Sequence, residues 1–489
     1  INAAGDVTVS NALGGNAEAT GISVAAGSYA MNGAVVLAFN NIAGYAAVNG
    51  NDITCANLTV TGLLSGNASA EATGAAAGMI TAGLLVAYSD ISAKNIAMID
   101  YTQSAITASG SINVFAGCEA IPYTSLAKTR ITTGAVGGVT INMNIALAFN
   151  RSENTAQIIS TSGGSIAAEQ MLIKAYGNTN AKVIIKGILS QATNYAEAVD
   201  ESTPTPTTIS AVDATVSVGI ANLSSVQYAQ FIGAGTVSAG AIDVISYQNY
   251  DTSSDDYNAE VEIKSGGANL ISVSGYIGVA KADATGIASF GGGTVGASPA
   301  GTLPDITIES YGESNAKTTI DKMSLSIYSM GVMYGDAQAQ GTFTAMLGGA
   351  TGTITANSIS VNTVYYADAT CDVNPAEGGF TASYWSAEVN LANAKVTTNA
   401  SAGADNAGSV SVQNDVTIKT VGSVKSYAIV HTAMVSISGV KVVANSAIAT
   451  LLAVQKAYID TTDFDLNGHN LSVISEYNLE TAYGEEALV

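Results

Sequence analysis

Hydrophobic and polar residues alternate along much of this chain, as the segment DAQAQGTFTAMLGG (336–349) shows. One face of this segment consists of Ala337, Ala339, Gly341, Phe343, Ala345 and Leu347, and the other of Gln338, Gln340, Thr342, Thr344 and Met346. A period of two residues predicts a β-strand. Because the face predicted to be buried is mostly alanine and glycine, we expect it to approach its neighbours closely. No segment has a convincing amphipathic helical pattern.

The strand pattern belongs to an internal repeat that runs through the whole chain. Each repeat contains a small or polar stretch followed by a β-branched strand, as in GDVTVS, LPDITIESYG and QNDVTIKTVG. The central residues of these strands, called the anchors below, are Val9, Val60, Val114, Ile173, Val244, Ile308, Val361, Ile418 and Val473. Their spacing averages about 58 residues, which indicates about eight irregular repeats.

A repeat made of strands alone predicts an all-β fold, a parallel β-solenoid whose coils stack on one another. We expect residues 1–489 to form one continuous solenoid, with side-loop insertions near 198–210 and 290–305. The number of coils in each repeat stays open. One wide coil per repeat gives a body on the order of 40 Å tall, and two or three narrow coils give a rod roughly 110 Å long.

The charge composition of the chain limits the kinds of partner that it can bind. Charged residues make up 11 % of the chain, and the formal net charge is −22. An acidic surface repels nucleic acid and anionic lipid, so we expect neither nucleic-acid binding nor membrane insertion. No apolar run reaches the roughly 18 residues that a membrane helix needs. The chain opens in mid-pattern at INAAGDVTVS, which we interpret as a mature or excised segment of a secreted protein.

Two acidic segments are candidate sites for weakly bound calcium. The sequence suggests no other cofactor. Oxygen-rich loops suit this ion. The candidate ligands are Asp251, Asp255 and Asp256 in NYDTSSDDYNAEVEI, and Asp463, Asp465 and Asn467 in DTTDFDLNGHN. The second segment opens like an EF-hand loop, but Ile474 occupies the twelfth position, where a bidentate Glu is required. Solvated acidic turns are the alternative interpretation of both segments.

The remaining chemistry is sparse. His431 and His469 lack metal-ligand or triad spacing, and no catalytic residue is predicted. Three widely spaced cysteines, Cys55, Cys118 and Cys371, are interpreted as buried free thiols. Trp385 and the tyrosines of VYYADA (364–369) could form an aromatic platform for sugars, with packing at the solenoid surface as the alternative.

The repeat texture resembles a known family. The segment from DITIESYGESNAKTTIDKMSL to TGTITANSISV (305–361) is similar to repeats of leukotoxin-type filamentous adhesins and of filamentous-haemagglutinin-like passenger regions of bacteria. The resemblance implies a secreted, cell-surface β-solenoid that serves in adhesion or in building extracellular fibres. It implies no catalytic residues.

We therefore predict a non-enzymatic bacterial extracellular protein, a solenoid segment of a surface fibre or filamentous adhesin. Its expected partners are further copies of itself, stacked head-to-tail through uncapped ends, and a host-cell, surface or matrix polysaccharide. The alternative is a β-helix protein that binds or degrades polysaccharide. Degradation would require carboxylates that converge on one groove, and the sequence offers few acids on aligned strands.

Overall fold

The computed structural model describes residues 1–50, 52–117, 125–187, 208–249, 257–349, 352–375, 380–431, 435–437 and 439–477. Within these ranges the chain contains strands and no helix, and the strands join into one parallel sheet that winds into a solenoid. The predicted all-β parallel β-solenoid is therefore confirmed.

Eight complete coils and the first strand of a ninth follow one another in chain order. Coil 1 contains β1 (Val7–Ala26), β2 (Tyr29–Asn49) and β3 (Ile53–Cys55), and coil 2 contains β4 (Leu58–Asp100) and β5 (Ala105–Ala108). Coil 3 contains β6 (Ser111–Gly117), β7 (Ser125–Ser160) and β8 (Ser165–Ala167). Coil 4 contains β9 (Gln170–Gly177), β10 (Thr179–Gly187), β11 (Thr208–Gly233) and β12 (Thr236–Ala239). Coil 5 contains β13 (Ala241–Gln248), β14 (Ala259–Gly291) and β15 (Thr294–Ala297), and coil 6 contains β16 (Asp305–Gly348) and β17 (Thr353–Ala356). Coil 7 contains β18 (Ser358–Asn374), β19 (Phe380–Ala382) and β20 (Trp385–Val412). Coil 8 contains β21 (Val416–Val430), β22 (Val435–Ile437) and β23 (Val440–Asp465), and coil 9 begins with β24 (Leu471–Tyr477).

Each coil has two long sides and one short side. In coil 1 these are β1, β2 and β3, which we call side 1, side 2 and side 3; in coil 2, β4 covers sides 1 and 2 by turning near Gly78. Sides 1 and 2 face each other across a thin interior. For example, the Asn40 amide on side 2 donates to Gly15 O on side 1 at 2.6 Å.

The register shows that each sequence repeat forms one wide coil. All nine anchors lie in a single column, in which each anchor pairs with the next: Val9 with Val60, Val60 with Val114, and so on to Ile418 with Val473. At a spacing of about 4.8 Å, eight coils give a height of about 38 Å, while a 21-residue side 2 reaches about 70 Å. The molecule is a slab and not a long rod.

The interior changes character across the width of the slab. Near side 3 three strands converge, and large apolar residues such as Val60, Ile99 and Ile106 fill the core. In the middle only two sheets face each other, and small residues dominate. One inward column there contains Ala38, Ser89, Ala148, Ala221, Ala280, Ala337 and Ala394. Small side chains are needed because the two sheets lie close together.

The alternation in 336–349 is confirmed. Ala337, Ala339, Phe343, Ala345 and Leu347 are fully buried, and the alternate residues face outward. Phe343 occupies space that glycines leave open, because a Cβ on Gly312 would lie 1.7 Å from Phe343 Cε1.

Two segments were predicted to form side loops. Of the first, residues 198–207 lie outside the described residues, and 208–210 belong to β11. The second, 290–305, contains β15, which pairs with β12 and β17 on side 3, and then a turn around Pro299.

Candidate functional site

The most unusual surface of the slab lies on side 2, next to the turn from side 1. Eight segments of side 2, one from each coil, lie in register here. In each of them the first, third, fifth and seventh residues point outward. The segments are 29–35, 80–86, 139–145, 212–218, 271–277, 328–334, 385–391 and 440–446. None of these outward residues is Asp, Glu, Lys or Arg, and nearly all are apolar. We call this surface the apolar face.

The apolar face is large, and its side chains are exposed in the described part of the chain. Met31 is 80 % exposed, Ile141 53 % and Val332 49 %. Eight strands at about 4.8 Å, each contributing seven residues of about 3.3 Å, cover roughly 900 Å². Apolar patches on soluble monomers rarely exceed a few hundred Å², and larger patches mark interaction sites.

The interior behind the apolar face is polar, so the usual pattern is inverted. The inward column contains Thr81, Thr140, Asp213, Ser272, Ser329 and Ser386, all buried. Thr140 Oγ1 donates to Asp213 Oδ1 at 2.7 Å. One buried ion pair, between Lys322 Nζ and Glu388 Oε1 at 3.3 Å, also lies in this region. The face that a sheet ordinarily buries is therefore the outer one here.

A charged rim borders the apolar face farther along side 2. Arg151 Nη2 lies 2.6 Å from Asp90 Oδ2, and Lys94 Nζ lies 3.1 Å from Glu153 Oε1, so each pair joins neighbouring coils. Side chains on the same strands thus change from apolar to charged within a few residues. An apolar centre with a polar rim is the usual anatomy of a protein interface.

The two ends of the slab are the second candidate site. Among the described residues, β1 and β2 pair only with coil 2 strands, and β24 pairs only with β21. Val7 and Val9 at one end, and Phe464 and Leu466 at the other, are only partly buried against the core. Each end thus offers backbone groups and core side chains that another coil could cover.

The predicted calcium ligands fall into two groups. Asp251, Asp255 and Asp256 lie outside the described residues. Asp463 and Asp465 end β23, and Asn467 follows in a left-handed conformation with φ of 51°. The Asn467 amide Nδ2 donates to Val412 O at 3.0 Å, so that side chain supports a turn between coils. In the described part of the chain no three acidic, His or Cys side chains cluster as a metal site would require. Calcium binding stays a prediction.

The acidic strand beside the first group has basic partners. Glu260 Oε2 lies 2.7 Å from Lys182 Nζ, and Glu262 lies 3.4 Å from Lys186 Nζ and 3.0 Å from Lys264 Nζ. These lysines come from the same or the preceding coil. The two glutamates therefore belong to a charged ladder on the outside of side 1.

The suggested aromatic platform is wrong in its geometry. Tyr365 is fully buried inside side 1, and its neighbour Tyr366 directs its hydroxyl toward Asp368 at 3.4 Å. Trp385 begins β20 on side 2, at the edge of the apolar face. The residues lie on different sides of the coil, so they form no common surface for a sugar.

An open groove lies farther along side 2, across coils 5 to 8. It has a volume of about 500 Å³, and one part of its lining is polar, with Asp283, Gln340, Thr342, Asn399 and Lys456, while Leu452, Ala453 and Val454 make another part apolar. The hydroxyl, amide and charged groups of the polar part can form hydrogen bonds with sugar hydroxyls.

Burial protects the thiols. Desolvation raises the pKa of Cys371 to about 12 and also raises the pKa of Cys55, and both are buried free cysteines, whereas Cys118 lies outside the described residues. At pH 8 a pKa near 12 leaves about 10⁻⁴ of the thiol as the reactive thiolate. In a Cys118→Ser variant we expect iodoacetamide to leave both thiols unmodified until denaturant is added, with mass spectrometry as the measurement. Labelling of the folded chain at the rate of a free cysteine would contradict this burial.

Comparison with family models, curated proteins and solved structures finds no match to this chain. Among the described residues there is no helix that could cross a membrane. The fold defines the class, a wide-coil parallel β-solenoid, and its surfaces carry the functional argument.

Proposed function

We propose that this chain is a non-catalytic structural module of a bacterial extracellular fibre or adhesive surface, built by stacking coil on coil. The observation that carries the proposal is that, among the described residues, both ends of the slab are open and one column of anchor strands joins them. A following coil would extend the anchor column past Val473 or before Val9, whether it belongs to the same polypeptide or to the next copy. Such heterologous contacts do not close on themselves, so they build filaments.

The adhesive and extracellular parts of the proposal rest on the amino-acid sequence. The resemblance to filamentous adhesins, the low content of charged residues and the net charge of −22 all suit a secreted surface protein. The partners that we propose are the chain itself and, for adhesion, a host-cell, surface or matrix polysaccharide.

A second candidate function is polysaccharide binding without fibre formation. The hydrogen-bonding side chains in the groove of coils 5 to 8 support it. If this candidate is right, the chain will bind an immobilised polysaccharide as a single particle, and Lys456→Ala with Asn399→Ala will remove the binding.

End-to-end stacking can be tested by blocking one free edge. Val7 N–H donates to Asn57 O at 2.8 Å, and Gly27 N–H donates to Ala77 O at 3.0 Å. Because N–H groups alternate along a strand, those of Ser10 and Thr20 point to the free edge of β1. Proline at such positions removes no ladder bond within the chain.

For Ser10→Pro with Thr20→Pro we expect the concentration needed for end-to-end assembly to rise about 30-fold, if each lost bond contributes about 1 kcal/mol. Sedimentation velocity and negative-stain microscopy give the measurement, and Ser10→Ala with Thr20→Ala is the control. An unsubstituted chain that stays as discrete single or double slabs at tens of micromolar would refute end-to-end stacking.

A further inference from the structure

We infer that the apolar face is a lateral interface through which two copies of this chain pair face to face. The pairing is independent of end-to-end stacking, because it uses the broad outer surface of side 2 and leaves the strand edges free.

A parallel sheet with an apolar outer face needs a cover. Parallel sheets occur almost always with both faces covered, and none of the described residues covers the outer face of this part of side 2. The face measures roughly 900 Å², which exceeds the roughly 800 Å² per partner of a standard stable interface. Its area is therefore sufficient for a stable dimer.

A second copy fits this face better than an unrelated surface does. Two flat sheets pack about 10 Å apart with interdigitating side chains. Along one column of the face, alanines interrupt the larger residues: Met31, Ala82, Ile141, Ala214, Val273, Met330, Ala387 and Val442. The alanines leave dents that a partner's methionine or isoleucine can fill. The same pattern on both partners permits an isologous, two-fold contact.

The charge distribution also favours a copy. Each chain has a net charge of −22, yet the outward residues of the apolar face include no charged side chain. Two copies can therefore meet without burying an unpaired charge, and screening at a Debye length of about 8 Å weakens repulsion between charges outside the contact. An anionic bilayer would be repelled by the same net charge.

Pairing of this kind stops at two slabs. The outer surface of side 1 carries charged ladders such as Lys182–Glu260 and Lys186–Glu262, which do not suit an apolar contact. An isologous interface uses up the apolar face of each copy. The product is a double slab, or a double ribbon where ends also stack.

The test compares two variants with the same change in charge on the same two strands. Met143 and Val216 are neighbours in register on the apolar face, and Gln157 and Gln230 are neighbours in register beyond the charged rim. Met143→Glu with Val216→Glu is the test variant, and Gln157→Glu with Gln230→Glu is the control. Both carry Ser10→Pro and Thr20→Pro, which weaken end-to-end growth equally in the two variants.

Sedimentation equilibrium gives the primary readout. At 10 µM we expect the control to have twice the chain mass of 49.0 kDa, and the test variant to have the single mass, with a dimer dissociation constant at least about 100-fold higher. Far-ultraviolet circular dichroism establishes that both are folded. Trp385, the one tryptophan of the chain, lies at the edge of the face, so its emission should shift to the blue as the control dimerises.

Three outcomes would overturn the pairing. The first is a control variant that is monomeric up to 100 µM. The second is equal dimerisation of both variants. The third is a control variant that floats with neutral phosphatidylcholine vesicles as a monomer, which would assign the face to lipid. Each outcome is independent of whether the unsubstituted chain forms end-to-end filaments, so the two proposals fail separately.

Discussion

Replacing Lys322 with methionine is expected to lower the free energy of unfolding by about 3–5 kcal/mol. The Lys322 and Glu388 side chains are 2 % and 5 % exposed, and the Nζ–Oε1 distance is 3.3 Å. The substitution leaves the Glu388 carboxylate buried without its cation, which is the costly way to break an ion pair. Urea unfolding followed by circular dichroism gives the measurement.

A surface pair of the same chemistry provides the control. Lys94 and Glu153 are 3.1 Å apart, but their side chains are 55 % and 35 % exposed. Lys94→Met should therefore cost less than about 1 kcal/mol. The double variant Lys322→Met with Glu388→Leu should recover most of the lost stability, because no isolated charge remains. An effect of Lys322→Met no larger than that of Lys94→Met would show that the pair is not buried.

Replacing Gly312 with valine is expected to cost about 3 kcal/mol or more, at the upper end of overpacking effects. The new Cβ would lie 1.7 Å from Phe343 Cε1 and 2.0 Å from Cδ1, in an interior where Phe343 is fully buried. The same change at Gly296, where a Cβ would meet nothing within 4 Å, is the matched control. Both glycines lie in strands.

A companion substitution separates overpacking from a general intolerance of valine. Gly312→Val with Phe343→Ala should be more stable than the sum of the single effects predicts, because the alanine leaves room for the valine. Equal losses of stability at Gly312 and Gly296 would contradict the close approach of sides 1 and 2.

Much of the fold could be predicted from the sequence because the backbone ladder repeats. The nine anchors, identified only as β-branched residues after small or polar stretches, all lie in one column. The number of coils in each repeat could not be predicted, since alternation identifies a strand but not where the chain turns to close a coil. The turn near Gly78 lies inside one long strand pattern, from Leu58 to Asp100.

The apolar face shows what alternation leaves undetermined. In VTINMNIALAFN (139–150) the large apolar residues occupy one parity and Ala146 and Ala148 the other. Hydrophobicity alone would bury Ile141 and Met143, but the structure buries Thr140 and Asn142. The inward parity is fixed in the middle of the slab, where small residues such as Ala146 and Ala148 predominate between the facing sheets. A sequence pattern can therefore predict an apolar outer face. In that pattern, alanines occupy alternate positions of a strand, and large apolar residues occupy the positions between them.

Acidic residues that are close together in the sequence do not by themselves identify a calcium site in this fold. Glu260 and Glu262 are close to three aspartates in sequence, but their lysine partners include Lys182 and Lys186, which the chain brings alongside only after completing a coil. A local search for oxygen ligands cannot detect cations that arrive from the preceding coil. Calcium at Asp463, Asp465 and Asn467 stays a prediction.

Cryo-electron microscopy of the unsubstituted chain at tens of micromolar tests the central claim most directly, namely that the ladder continues from copy to copy. We predict ribbons two slabs thick, with strands about 4.8 Å apart along the axis, an anchor column that continues from copy to copy, and a subunit repeat of about 43 Å from nine anchor strands. Dispersed single or double slabs, or arrays whose anchor column is interrupted at every subunit boundary, would contradict it.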